Sequence, residues 1–255
     1  MKVVFIHGMM GGAWYWENYK NFFESKGVKC YIPNLRHHSK GAQPVAELGA
    51  TSIKDYVSDL KVQIEKIYKE EEKMPFVVGH SMGGLIAQIL VSEGYGKAGV
   101  FLTPAPPRGI FALSLSQIWT FLPVMIKPNW WKKPFKLSYK RFRYSILNNL
   151  DENESKRIYP NFCYESGKAL FEIGLWALDK TKATEVNFSA VSVPVMFVGA
   201  KKDKITPKSI VIKTSKKYKN AIYEELKDNA HWVVGEKNWE KVAEIVYEFM
   251  KSVNK

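Results

Sequence analysis

Val77-Val78-Gly79-His80-Ser81-Met82-Gly83-Gly84-Leu85-Ile86 sets a serine between two glycines, directly after a β-rich run and before an apolar one. Alone, a Gly-x-Ser-x-Gly match is weak, arising by chance in roughly one in ten chains of this length. Its setting strengthens it. Phe76 to Val78 reads as a strand and Met82 to Glu93 as a helix, so the serine falls on a strand–turn–helix bend. Such a bend lifts a hydroxyl over a sheet edge, and small residues beside it relieve strain and allow close approach. The start of the following helix favours negative charge developing there.

Outward from this turn, short β-rich runs occur at Lys2 to Ile6, Val28 to Ile32, Ala98 to Leu102, Val193 to Val198 and Ala221 to Leu226. Helical patterns lie between them. Ala13 to Lys26 stops at Gly27. Thr51 to Lys73 is apolar at Ile53, Val57, Leu60, Ile64 and Ile67, with Ser52 and Asp55 spaced as a capping box. A last helix runs from Trp239 to about Met250. Strands that alternate with helices predict an α/β fold, a doubly wound, mostly parallel sheet of about six strands. The alternation breaks once. Residues 104–183 show no convincing strand and many aromatics and prolines, which predicts a largely helical cap inserted over the carboxyl edge of a core formed by 1–103 and 184–255.

A serine hydroxyl needs a base to become a nucleophile. His231, in Asp228-Asn229-Ala230-His231-Trp232, lies on the loop between the last strand and last helix, which opens on the same edge as Ser81. His80 belongs to the turn, His7 follows the first strand, and His37 and His38 lie after the second. Asp203 comes just after the fifth strand, ahead of Thr206-Pro207, and is placed to orient the imidazole; Asp179 and Asp228 are weaker candidates. An oxyanion needs two backbone N–H groups. Met82 should supply one, and Met9, in His7-Gly8-Met9-Met10-Gly11-Gly12, the other.

The net charge of +13 is uneven: residues 94–150 hold nine Lys and Arg and no Asp or Glu. Aromatics are interleaved there, including Trp119, Trp130, Trp131, Phe135 and Tyr144. Such a patch suits an anionic membrane surface, an anionic substrate, nucleic acid, or simply a solvated face. No nucleic-acid-reading motif accompanies it, so nucleic acid is not an expected partner. Two cysteines, Cys30 and Cys163, give neither a disulfide framework nor a metal spacing. Met1-Lys2 leads straight into a short strand without a hydrophobic leader, and the uncharged stretch 109–126 is broken by Ser, Gln, Thr and Pro. The expected location is the cytoplasm.

On FIHGMMGG, GHSMGG, the D-x-I-T-P stretch and AHW, the chain resembles the α/β-hydrolase superfamily, of the serine esterase and lipase type. The resemblance implies a triad of Ser81, Asp203 and His231, an oxyanion hole from Met9 and Met82, and a six-stranded sheet without the superfamily's usual first two strands. It calls for no metal or organic cofactor. At 35–41 (LRHHSKG) the sequence departs from the Arg-Gly-His-Gly common there, leaving the His37-His38 loop without an assigned role.

The serine sets this chain apart from relatives with an aspartate nucleophile. GGAWYW resembles the plant esterase and hydroxynitrile lyase branch, whose lyases need a lysine beside the histidine and a threonine after His-Gly. Trp232 and Met9 stand there instead. The expected activity is cleavage of a carboxylic ester through an acyl-enzyme. An apolar cap segment, with Phe111, Trp119 and Leu122, and Trp232 beside the histidine are expected to contact the substrate. The candidates are a lipid-derived monoacyl ester, as for a monoacylglycerol lipase or lysophospholipase, and a small ester. Perhydrolase or carbon–carbon bond hydrolysis on the same triad, and a catalytically silent receptor, stay open. Oligomeric state is not legible in the chain.

Overall fold

A computed structural model describes residues 1–254. The strands are β1 (Lys2–Ile6), β2 (Lys29–Tyr31), β3 (Phe76–His80) and β4 (Ala98–Leu102), with α1 (Glu17–Ser25), α2 (Ile53–Glu71) and α3 (Met82–Ser92) between them. The long stretch that follows contains α4 (Leu115–Met125), β5 (Pro134–Phe135), α5 (Tyr139–Ser145), α6 (Glu152–Ile158), β6 (Glu165–Ser166) and α7 (Gly167–Gly174). The pattern resumes with β7 (Val195–Ala200), α8 (Lys208–Ser215), β8 (Ala221–Leu226) and α9 (Trp239–Val253). The six long strands form one sheet, all parallel, in the order β2-β1-β3-β4-β7-β8.

The inner strands β1, β3, β4 and β7 are buried along almost their whole length, because helices cover both faces. One apolar cluster packs α1 and α9 on one face, through Phe5, Trp16, Phe23, Val246 and Phe249. The other packs α2, α3 and α8 through Ile64, Leu85, Leu90 and Val211. The Ser52–Asp55 capping box forms at the start of α2. The Glu172 carboxylate reinforces that helix end, accepting from Ser52 Oγ at 2.7 Å and Ile53 N–H at 2.8 Å.

Three details depart from the sequence reading. The first helical stretch is divided into a 3₁₀ turn, Ala13–Trp16, and α1. The fifth strand begins at Val195, two residues late, because Pro194 precedes it and lends no N–H to a ladder. Residues 104–183 are not strand-free, since β5 and β6 pair antiparallel there.

The bend after β3 is crowded. A Cβ at Gly79 would stand 2.1 Å from Gly83 O, and one at Gly83 would stand 2.2 Å from Ile6 O and 2.4 Å from His7 O. Both clashes are with backbone, which cannot swing aside. Gly83→Ala is therefore expected to push α3 off β1 and cost about 3 kcal/mol or more of folding stability. Thermal melting checks this: a midpoint within a degree or two of wild type would show the contact to be compliant.

Candidate active site

Ser81 sits at the tip of this bend with φ 56° and ψ −121°, in the left-handed region that favours glycine. Its backbone is held on both sides. The N–H donates to Leu102 O at 3.0 Å, and the carbonyl accepts from Gly84 N–H and Ala105 N–H, each at 2.9 Å. The hydroxyl lies 2.9 Å from His231 Nε2, and His231 Nδ1 lies 2.8 Å from Asp203 Oδ2. Residues from the ends of β3, β7 and β8 are thus joined in one chain of hydrogen bonds. With Nδ1–H donating to the carboxylate, Nε2 is left as the acceptor for the Ser81 O–H.

Asp203 is buried. Burial pushes its carboxyl up, but the His231 imidazole and the Thr206 donors outweigh it and hold the group below the usual carboxylate range. Oδ1 accepts from Ile205 N–H at 2.7 Å and Thr206 N–H at 2.8 Å; Oδ2 accepts from Thr206 Oγ at 2.8 Å as well as from the imidazole. The His231 loop is held by Glu236, a residue the sequence did not single out. Its carboxylate accepts from Ala230 N–H at 3.0 Å and from the amides of Asn229 and Asn149. His231 O accepts from His80 Nε2 at 2.8 Å and from Thr103 Oγ at 3.2 Å. Asn149, His80 and Thr103 reach this loop from far along the chain, and no local pattern announces them.

Met82 is the first residue of α3, so its N–H has no intrahelical acceptor. Met9 lies on the turn after β1, and its N–H makes no hydrogen bond among the described residues. Both residues border, with Ser81, a cavity of about 400 Å³, within the size range of small-molecule sites. Its walls come from α4 (Ile118, Phe121, Leu122, Met125), α7 and the segments around Phe111 and Leu178. No residue of the lining is charged. A second space of about 20 Å³ adjoins Ser81 on the imidazole side, between Tyr15, Phe121, Ile146 and His231; it has room for about one water.

Of the four expected substrate contacts, Phe111 and Leu122 border the large cavity and Trp119 and Trp232 stand elsewhere. Trp119 lies a third of a turn from the lining face of α4 and packs on Tyr144, ring centroids 4.5 Å apart, with the Arg141 guanidinium 4.3 Å from its own centroid. Trp232 is not part of the cavity lining: it is buried among Trp14, Tyr15, Phe162 and His80. Asp179 caps its own turn through Thr181 and Ala183. His38 is buried while its neighbour His37 is exposed. Among the described residues no helix is long and apolar enough to cross a membrane.

The six-stranded parallel sheet, with the Ser81, Asp203 and His231 loops on its carboxyl edge, matches the α/β-hydrolase fold. Within that class the chain belongs to the serine aminopeptidase S33 family, which it matches over residues 1–238. No protein of curated function matches it in sequence. Solved structures with the same fold include a methylesterase, MES16, from Arabidopsis, at 14% identity and TM-score 0.73, covering 98% of this chain and 99% of that one. A monoacylglycerol lipase from Paleococcus ferrophilus is 20% identical with TM-score 0.69, covering 99% and 94%. An extracellular α/β-hydrolase from a Paenibacillus species is 18% identical with TM-score 0.74, covering 97% and 98%.

Two outcomes are expected from this geometry. Asp203→Asn presents an amide to Nδ1 and favours the wrong tautomer, so acylation of Ser81 should slow on the order of 10⁴-fold. The labelling rate with a fluorophosphonate measures it, and a rate within tenfold of wild type would mean that another group holds the imidazole. The second outcome concerns acid. Burial lowers His7 and His80 from 6.5 to about 3. The unfolded chain protonates first, so their contribution to stability is complete above the ordinary histidine value and drains away as pH falls from 6.5 toward 3. The decline is up to about 1.4 kcal/mol per pH unit for each group. Urea unfolding across this window should show it, with a flatter slope in His80→Gln; an unchanged slope would remove His80 from the account.

Proposed function

We propose that this protein is a serine hydrolase that cleaves carboxylic esters with an apolar acyl group, with Ser81, His231 and Asp203 as its triad. The observation that carries the reading is the hydrogen-bonded chain from Asp203 to Ser81 opening at the floor of an uncharged cavity. His231 Nε2 takes the proton as Ser81 Oγ attacks the ester carbonyl. The Met9 and Met82 N–H groups receive the oxyanion, and Asp203 stabilises the imidazolium. The tetrahedral intermediate collapses, the ester C–O bond breaks, and the alcohol leaves with the proton from His231. Water then enters on the imidazole side, where the small second space supports its placement, and repeats the steps on the acyl-enzyme.

The uncharged lining also separates an ester from a peptide N-terminus. An α-ammonium in this cavity would find no carboxylate and would lose its hydration without compensation. An acyl chain carries no such cost. Residues 104–183 then act as a cap that forms the acyl-binding wall.

The rim of the cavity favours a substrate that resides in a membrane. Phe111, Leu113, Leu115, Leu122, Ile126 and Leu178 are exposed, and five of these six lie between 111 and 126. Monomeric proteins seldom leave so much apolar surface in one place without use. Lys127, Lys132 and Lys133 are exposed in the same acid-free segment. These features support peripheral contact of the cap with an anionic lipid surface, and a monoacyl lipid as the ester.

Hydrolysis of p-nitrophenyl esters of rising acyl length, by wild type and Ser81→Ala, tests the reading. Turnover should rise toward long chains, increase further when the ester is held in anionic rather than zwitterionic vesicles, and fall on the order of 10⁶-fold in the variant. A short-chain optimum would reduce the cap to packing. Turnover that survives Ser81→Ala would remove the triad.

A further inference from the structure

The turn that carries Met9 is held by a carboxylate from the cap. Glu165, on β6, is fully buried, and its two oxygens receive four donors. Oε2 accepts from Met10 N–H at 3.0 Å and from His38 Nε2 at 3.0 Å. Oε1 accepts from Tyr56 Oη at 2.9 Å and from Ser166 N–H at 2.8 Å. His38 Nδ1 faces Arg36 O at 2.9 Å, so both ring nitrogens face acceptors and both carry protons. Burial opposes charge on each partner, yet their mutual attraction raises His38 and lowers Glu165 from their ordinary values. This is an ion pair in the interior that none of the triad chemistry uses.

Its effect falls on the backbone beside Ser81. Met10 has φ 60°, in the left-handed region, although it is neither Gly nor Asn. Such a conformation persists only where its surroundings impose it. Glu165 holds the Met10 N–H, and Cys163 N–H holds the Met10 carbonyl at 2.9 Å. The preceding peptide is fixed separately: Gly8 O accepts from Gly11 N–H at 3.2 Å and from His7 Nδ1 at 2.9 Å. The peptide planes on both sides of the Met9 α-carbon are therefore fixed, and with them the direction of the Met9 N–H.

We propose that Glu165, paired with His38, is a positioning residue for the oxyanion hole: by locking Met10 it aims the Met9 N–H at the carbonyl oxygen of the substrate. The inference rests on the ester-hydrolase reading above. It gives the His37-His38 loop a role, and it makes the cap part of the catalytic machinery, because the residue that aims the donor comes from the cap, two residues before α7. Leu170 and Ile173 of that helix also line the acyl cavity.

Two substitutions test it. Glu165→Ala removes the acceptor for the Met10 N–H. Glu165→Gln keeps one acceptor oxygen but turns an NH₂ group toward either the Met10 N–H or the Ser166 N–H. A misaimed donor should cost no more than the lower end of the roughly 10²–10³-fold in kcat typical of deleting one. We expect kcat to fall by about a hundredfold in Glu165→Ala and about tenfold in Glu165→Gln, with KM within about twofold of wild type. Inhibition by a trifluoromethyl ketone analogue, which forms an oxyanion on Ser81, should weaken by the same factor as kcat/KM falls. A purely structural role would not produce that parallel. Thermal melting establishes that each variant is folded, and if Glu165→Ala does not fold, Glu165→Gln decides alone. The proposal is overturned if folded variants keep kcat within about threefold, or if the loss lies in KM while the ketone binds as before. Wild-type protein with no Ser81-dependent ester turnover would instead refute the hydrolase reading, so the two failures are distinguishable.

Discussion

Everything at this site depends on one steric constraint, the approach of α3 to the ends of β1 and β3 around Ser81. A Cβ at Gly8 would stand 2.9 Å from the Ser81 Cβ, and added atoms at Gly79 or Gly83 would enter neighbouring backbone. Only hydrogen atoms fit at these three positions. That closeness lets a helix begin immediately after a strand, with a serine left in a left-handed conformation between them. The strain is stored where the backbone is fully hydrogen-bonded, so it cannot relax without breaking contacts to Leu102, Gly84 and Ala105. The result is a hydroxyl carried on backbone that is hydrogen-bonded on both sides.

Charge is arranged as strictly as shape. The chain carries +13, yet nothing charged lines the large cavity. Asp203, Glu165, Glu172 and Glu236 are instead buried away from its lining, each accepting a hydrogen bond from backbone N–H. Each ties segments that are distant in sequence; at Asp203 and Glu165 the partners outweigh burial and lower the carboxyl, whereas at Glu172 and Glu236 burial wins and raises it. The site is therefore polar below the reacting atoms and apolar above them. An oxyanion formed at that boundary would meet fixed N–H dipoles with little competing solvent.

What the sequence disclosed follows the range of the signals involved. The Gly-x-Ser-x-Gly bend and the strand–helix alternation are local patterns, and they led directly to the parallel sheet and to the order of Ser81, Asp203 and His231 along its edge. Trp232 was misjudged because adjacency to His231 says nothing of direction: the ring turns inward, where Gly235 leaves it room, a Cβ there standing 2.3 Å from its Nε1. Trp119 was misjudged on helical phase, since the lining residues 118, 121, 122 and 125 share one face of α4 and 119 lies off it. The His38–Glu165 pair was invisible because its members are 127 residues apart. Each reads alone as an ordinary polar residue in a loop.

The stretch between β4 and β7 is not mechanically uniform, and that bears on how a substrate enters. Its later part reaches deep into the core: Glu165 to Met10, Ser166 Oγ to the carbonyls of Gly49 and Thr51, Glu172 to the start of α2, and Asn149 to Glu236. Moving any of these would expose a buried carboxylate or orphan a backbone group, at a cost of a few kcal/mol each. The earlier part is held more lightly. Beyond its own helix, α4 makes side-chain hydrogen bonds only from Gln117 to Ile205 O and from Ser116 to Tyr144, among the described residues. It leaves Leu115, Ile118 and Leu122 exposed, while Thr120 and Val124 are buried and Phe121 and Met125 pack against the core. The lighter hydrogen bonding thus lies on the α4 side, while α7 and the Met10 turn are tied to the core by buried carboxylates. A wall of the large cavity and the carboxylate that holds the Met10 turn thus come from one stretch of chain, distinguished by the number of buried hydrogen bonds each would have to break.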